Sequence, residues 1–292
     1  MKRAALGLVL LAGSARAQAP ARPGGAPLEM SYRNVYVGSG RLSEGGRDTG
    51  TAEEYRQDAR LEVRRPFGVG RLTAGVFYRR TALDLGAGEL VPDTLQLFRA
   101  AVGYERTLAS GWRVAAQIAP SVGGDRRLSG DGFSLAGSVI ATSVGNPRRT
   151  WVAGLGVDPR GALPVVPLFG AILRPDDVWT VRLLLPEIGV ARKTGRMLSA
   201  MSEAKAGVKL GGGGYRVSPS FGSARGRPDL DSRWLREQTL SAEAGLGLEW
   251  AHARAELSAG WAFLRRFEYR DAGVRVNASA APVLGLALTG RF

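Results

Sequence analysis

The chain of 292 residues contains no cysteine, a single histidine and only four lysines. Without cysteine there are no disulfides, no thiol catalysis and no cysteine metal site. Stability in a chain of this length must then come from another source, such as a large hydrogen-bonded sheet. The one histidine, His252, sits in a two-residue turn, and no serine is spaced near it as a nucleophile would be near its base. The chain is therefore expected to be no enzyme and to need no cofactor or metal. Long apolar runs are missing too. Ala4–Gly13 falls short of the roughly 20 residues that a membrane-spanning helix requires. The run "GGGGYRV" (residues 211–217) lacks the Lys-Ser/Thr ending and following helix of a phosphate-binding loop.

What is present begins with an export signal. Lys2 and Arg3 precede the apolar run, and Ala15-Arg16-Ala17 offers a small-x-small cleavage site. Residues 1–17 are expected to be a cleaved secretory signal peptide. No cysteine follows to carry a lipid anchor. Residues 18–27 would form a short periplasmic segment, and 28–292 the folded domain. Forty-one glycines against 15 prolines suit many short strands joined by turns more than a helical domain.

The apolar residues recur with period two. In "TLSAEAGLGLEW", Leu240, Ala242, Ala244, Leu246, Leu248 and Trp250 share one face, and Ser241, Glu243, Gly245, Gly247 and Glu249 the other. Such alternation is a strand with one greasy and one polar side. "YRQDARLEVR" sets Tyr55, Gln57, Ala59, Leu61 and Val63 against Arg56, Asp58, Arg60, Glu62 and Arg64. Residues 112–119 and 253–263 divide likewise. Half-buried soluble sheets also alternate, so other features must decide. The strands run to about 10 residues, the length a tilted strand needs to cross a bilayer. Short links (65–68, 109–111, 145–149, 174–177, 251–252) alternate with long ones (39–54, 84–93, 123–131, 218–234), as in outer-membrane barrels. Trp112, Trp151, Trp179 and Trp250 each lie within two residues of a short link and on the apolar face. That placement predicts an aromatic girdle at the periplasmic rim.

Lipid offers no hydrogen-bonding partner, so such strands must close into a barrel without edges. The final "LGLALTGRF" should then pair with the first strand, near "PLEMSYRNVYVG". Leu284, Leu286, Leu288 and the terminal Phe292 resemble the signal read by the bacterial outer-membrane barrel assembly machinery. Gly290 departs from it, because an aromatic is usual two residues before the final Phe. Periplasmic chaperones, outer-membrane lipid and lipopolysaccharide are the other expected partners. Nucleic acid is not, because the arginines are interleaved with acids. The loop arginines Arg225, Arg227, Arg233 and Arg236 are diluted by Asp229 and Asp231, which weakens any lipopolysaccharide patch there.

Residues 163–217 carry Pro167–Gly170, a polar turn at Arg174–Trp179, a Leu-rich strand ending at Leu183–Pro186, and the Gly-rich Gly211–Val217. The order of these pieces resembles a bacterial family of outer-membrane barrels of unknown function. The resemblance implies a barrel of that kind and no catalytic residue to carry over. Both ends of the mature chain should face the periplasm, so the strand number should be even. Nine strands are clear, and the expectation is a single all-β antiparallel transmembrane barrel of 12 strands, with 14 as the alternative.

Inward positions include Arg56, Arg60, Arg64, Arg99, Arg113, Arg254, Arg266 and Arg291, with Asp58, Glu62, Glu105, Glu243, Glu249 and Glu256 among them. Rings of arginine favour anions in a pore. Alternating signs along one strand also fit a charge-paired wall. A porin-like passage for small solutes, with anions preferred, is the first reading. A closed structural or lipopolysaccharide-interacting barrel is the second. Glu53 and Glu54 are read as solvated loop carboxylates.

Overall fold

The computed structural model describes residues 28–86, 90–160 and 165–292. The expected signal peptide (1–17) and the expected periplasmic segment 18–27 lie outside them. Among the described residues, every regular element except four single-turn 3-10 helices is a strand. In chain order these are β1 (Leu28–Glu44), β2 (Arg47–Phe67), β3 (Gly70–Leu85), β4 (Thr94–Thr107), β5 (Trp112–Asp125), β6 (Phe133–Ser143), β7 (Arg149–Val157) and β8 (Val165–Leu173). They continue with β9 (Trp179–Leu184), β10 (Glu187–Met197), β11 (Ala200–Arg216), β12 (Trp234–Glu249), β13 (Ala253–Tyr269), β14 (Val274–Ala278) and β15 (Ala281–Arg291).

Each strand pairs antiparallel with its neighbours, and β15 returns to β1 over Glu29–Arg291 to Val37–Val283. Leu28 and Phe292 exchange backbone hydrogen bonds of 3.1 and 2.9 Å at the end of this seam. The sheet therefore closes, and closure removes the unpaired edges that an open sheet would present. The short β14 pairs with β13 and β1 beyond the end of β15, so the barrel proper has 14 strands. The expected 12 is too few. The difference lies between Trp151 and Val217, where five strands (β7–β11) are laid down. The six-residue β9 is too short to show alternation, and Pro186 sits in the turn after it rather than breaking a strand.

A second expectation also changes. Residues 39–54 are no long loop: β1 and β2 extend to a two-residue turn at Gly45–Gly46. Both glycines have positive φ (57° and 87°), the backbone that tight hairpins demand and that glycine adopts without steric cost.

The barrel has two tiers. At the short-turn end all 14 strands form the wall. Higher up the wall falls away across β6–β10, because β9 and β10 turn over at Leu185–Pro186, level with Gly170 of β8 and Lys209 of β11. β5 and β11 continue upward and meet in a parallel bridge at Gly124–Arg216. The long-loop end is thus a smaller ring of β1–β5 and β11–β14. Glycine permits the meeting, since a Cβ on Gly123 would lie only 2.4 Å from the Gly214 carbonyl oxygen.

Polarity inverts between the tiers. In the lower tier the outward face is apolar, with Leu61, Val76, Val102, Ile118, Leu257 and Leu286 exposed, and the inward face is charged. In the upper tier Leu42, Leu95, Leu235, Phe267, Tyr269 and Val276 point inward into one buried cluster, while Arg80, Asp84 and Arg41 are exposed. Apolar surface goes where water is not. The lower tier is built for lipid outside and water inside, the upper tier for the reverse. On β13 the inversion uses a bulge between the pairs Leu240–Leu264 and Ser241–Ala262. One extra residue flips every later side chain to the other face. Arg265, 1% exposed, therefore turns inward, and Arg266, expected inward, does not.

Candidate functional site

Three zones stack along the barrel axis. At the long-loop end the interior is filled. Loop 217–233 folds into the mouth and buries Phe221 and Leu230 in the apolar cluster with Leu95, Tyr215 and Tyr269. Phe221 stacks on Tyr269 at 6.4 Å between ring centroids, and the Arg225 guanidinium sits 4.1 Å from the Phe221 ring centroid. Asp231 ties the loop together by accepting from the Gly222 and Ser223 backbone N–H groups at 2.6 and 2.9 Å. The Ser223 hydroxyl donates to it as well. These donors hold the Asp231 carboxyl below the usual carboxylate range, the Ser223 hydroxyl contributing most. Ser218 donates to Asp125 at 2.9 Å and fastens the loop to β5.

Below this plug runs a belt of buried ion pairs. Arg56 is held by Glu54 and Glu237, and Tyr215 donates to Glu237 at 3.0 Å. Arg265 lies 3.5 Å from Glu54. Arg79 binds Asp58 at 2.7 and 3.0 Å and reaches across to the Gly212 carbonyl at 3.1 Å. Gly212 lies above the end of the β10–β11 pairing, which stops at Glu187 and Lys209. Glu54, read from sequence as a solvated loop carboxylate, is 1% exposed. The reason is that Glu54 stands within β2 and faces the closed interior rather than a solvated loop.

The lower lumen holds a cavity of about 350 Å³, and a second of about 170 Å³ lies toward the short-turn end. Arg60 and Arg64 both bind Glu62, the latter with Nε at 2.6 Å. Glu243 accepts from Arg33 at 3.4 Å, Lys209 at 3.0 Å, Ser241 at 2.9 Å and Ser258 at 3.0 Å. Lys205 pairs with Glu256, and Arg254 with Glu203 at 2.8 Å. Of the charges expected in the lumen, Arg56, Asp58, Arg60, Glu62 and Arg99 line the larger cavity with Glu243. Arg64 and Arg113 line the smaller. Glu249 stands at the rim instead, between Arg291 (3.1 Å) and Arg254 (3.5 Å). Arg33 and Lys209, which sequence reasoning passed over, hold the Glu243 hub. Arg33 lies on the polar face of an alternating segment and was readable; Lys209 lies in a Gly-rich strand that alternates poorly.

The lumen wall is not uniformly charged. Ile140, Val152, Val166, Leu168 and Leu184, from β6–β9, form a buried apolar cluster on the side where the wall is low. At the low point Leu185 is 49% exposed. Pro186, Glu187 and Leu210, around the same point, line the main cavity with Leu185.

Trp151, Trp179 and Trp250 are exposed at the short-turn end, with Trp112 half-buried. Asp176 positions Trp179 by accepting from the Val178 and Trp179 N–H groups at 2.8 and 2.7 Å. The same two bonds, that of Trp179 foremost, lower its pKa. Leu284, Leu286, Leu288 and Phe292 all face outward. The Phe292 ring folds over Gly290, where an added Cβ would meet it at 3.0 Å; the ring occupies the space that a side chain at 290 would need.

Solved structures resemble this barrel. The deltaS2 mutant of the TodX monoaromatic hydrocarbon channel superposes with a TM-score of 0.50 at 11% identity, covering 93% of this chain and 91% of that one. The deltaS2S3 mutant of the same channel gives 0.51 at 12% identity, covering 94% and 93%. The toluene transporter TodX of Pseudomonas putida gives 0.46 at 11%, covering 94% and 92%. The likeness is one of fold: a closed antiparallel barrel of the outer-membrane type. No family model matches the sequence, so the resemblance read at residues 163–217 gains no family assignment. No curated protein matches it either.

Proposed function

We propose that this protein is an outer-membrane transport barrel that passes a small, largely apolar solute between its lumen and the low side of its wall. The short turns face the periplasm and the plugged tier faces outward. One observation carries the reading: the outer end of the lumen is filled by an apolar core, while the cavity beneath reaches the low point at Leu185–Pro186. A straight porin path is blocked, and of the arginines expected to act as a filter Arg56, Arg60, Arg64, Arg99 and Arg254 are engaged by carboxylates. The solved structures of similar fold include proteins described as monoaromatic hydrocarbon channels, which supports an apolar cargo.

The absence of cysteine makes a clean test. Cells producing Leu185→Cys are treated with a bulky maleimide, and uptake of dilute labelled toluene is followed. The control is Leu286→Cys, exposed on β15 away from the low wall. Labelling at 185 should at least halve uptake, and labelling at 286 should leave it unchanged. Uptake equal to that of cells lacking the protein would favour a closed structural barrel, for which the paired lumen charges also argue.

A further inference from the structure

The lumen charges pair, but they do not balance. Glu62 is shared by Arg60 and Arg64, and Glu243 by Arg33 and Lys209. Each of these carboxylates faces two cations. Elsewhere in the interior the pairing is closer to even: Arg56 and Arg265 have Glu54 and Glu237, and Arg79 has Asp58.

One cation of each group lies beside one of the other. Arg60 pairs with Ser31 across β1–β2, and Arg33 with Asp58, so Arg33 and Arg60 are diagonal neighbours on the inward face. Diagonal positions on a sheet are about 7 Å apart, within reach of long side chains. Both guanidiniums are about one-third exposed to the cavity, and Lys209 faces the same cavity from β11. Directly above Arg33, on the same face of β1, come Val35 and Val37. Val37 pairs with Val283 of β15, and the three valines form one apolar cluster. Arg99, buried and also lining the cavity, leaves its Nε without a hydrogen-bond partner.

We infer that the main cavity is a binding site for a small amphiphile with a carboxylate head, the head held by Arg33 and Arg60 and the apolar body lying along Val35, Val37 and Val283. A planar guanidinium matches a carboxylate through two parallel hydrogen bonds. A volume of about 350 Å³ falls at the small end of ligand pockets, the size of one aromatic ring with its substituent. This inference rests on the transport reading for its setting, since it supplies the cargo with a head group.

The test uses the full-length protein in a non-ionic detergent and isothermal titration with three probes. They are benzoate, its uncharged counterpart benzyl alcohol, and inorganic phosphate. Benzoate should bind at least tenfold more tightly than benzyl alcohol, and more weakly as salt is raised. Arg33→Gln with Arg60→Gln should bring benzoate down to the level of the alcohol. Both variants leave an acid still paired, Glu243 with Lys209 and Glu62 with Arg64, so folding is retained. Heat-modifiable migration on a gel checks that. Equal binding of benzoate and alcohol by the native protein would overturn the head-group site. So would undiminished benzoate binding by the folded double variant. Phosphate binding as tightly as benzoate would overturn the amphiphile and leave a simple anion site. Toluene uptake through the wall is measured separately, so failure of binding and failure of transport are told apart.

Discussion

Removing the plug's two anchors should turn a silent barrel into a conducting one. Phe221 and Leu230 are the large apolar side chains that loop 217–233 inserts into the outer-tier core, 5% and 0% exposed. Burial of such a side chain stabilises by about 1.5–3 kcal/mol, so the pair holds the loop in place by about 3–6 kcal/mol. At 1.4 kcal/mol per factor of ten, the native plug would be open about once in 10² to 10⁴ observations. Phe221→Ala with Leu230→Ala removes most of that preference, since each truncation costs about 2–5 kcal/mol in a packed core. The open population should rise to a large fraction. Planar bilayer recording reads this directly, with rare brief openings for the native protein and frequent long ones for the double variant. The lower-tier wall does not involve either side chain, so heat-modifiable migration should persist. A double variant that inserts, runs as a folded barrel and stays as quiet as the native protein would refute the plug.

Other outcomes follow from the same geometry. Glu237→Gln keeps an acceptor for Tyr215 but leaves Glu54 alone between Arg56 and Arg265. An uncompensated buried charge costs about 3–5 kcal/mol, and the temperature of the heat-modified gel shift should fall; an unchanged temperature would mean the belt is wet. Asp231 has a depressed folded pKa, so its contribution is complete above its ordinary value of 3.8 and disappears as pH falls through the lower folded value. Protease cleavage in loop 217–233 should therefore be constant from pH 7 to 5 and rise only below the ordinary carboxylate range. Asp231→Asn should raise it from pH 7 to 5, and a variant as resistant there as the native protein would show the cap to be dispensable.

How far the sequence reached can be judged from particular strands. On β2, the alternation from Tyr55 to Arg64 placed Arg56, Asp58, Arg60, Glu62 and Arg64 on the polar face, and the structure turns all five inward. At the terminus, Leu284, Leu286 and Leu288 indicated a lipid-facing strand that would seal against the first, and β15 does pair with β1. A period-two pattern is local, and sheet closure in lipid follows from hydrogen-bond satisfaction alone. Class, closure and the lower-tier faces were therefore determined by the sequence itself. Strand number was not, because β9 has six residues and its pairing depends on where β8 and β10 lie. Nor was the inward turn of Arg265, since a bulge is set by the partner strand and flips the face without altering the local pattern. The burial of Glu54, the meeting of β5 with β11 and the plug of Phe221 and Leu230 were decided by tertiary structure alone. Each joins residues distant in the chain, and the energy that selects them is exclusion of water from a space only the folded barrel encloses.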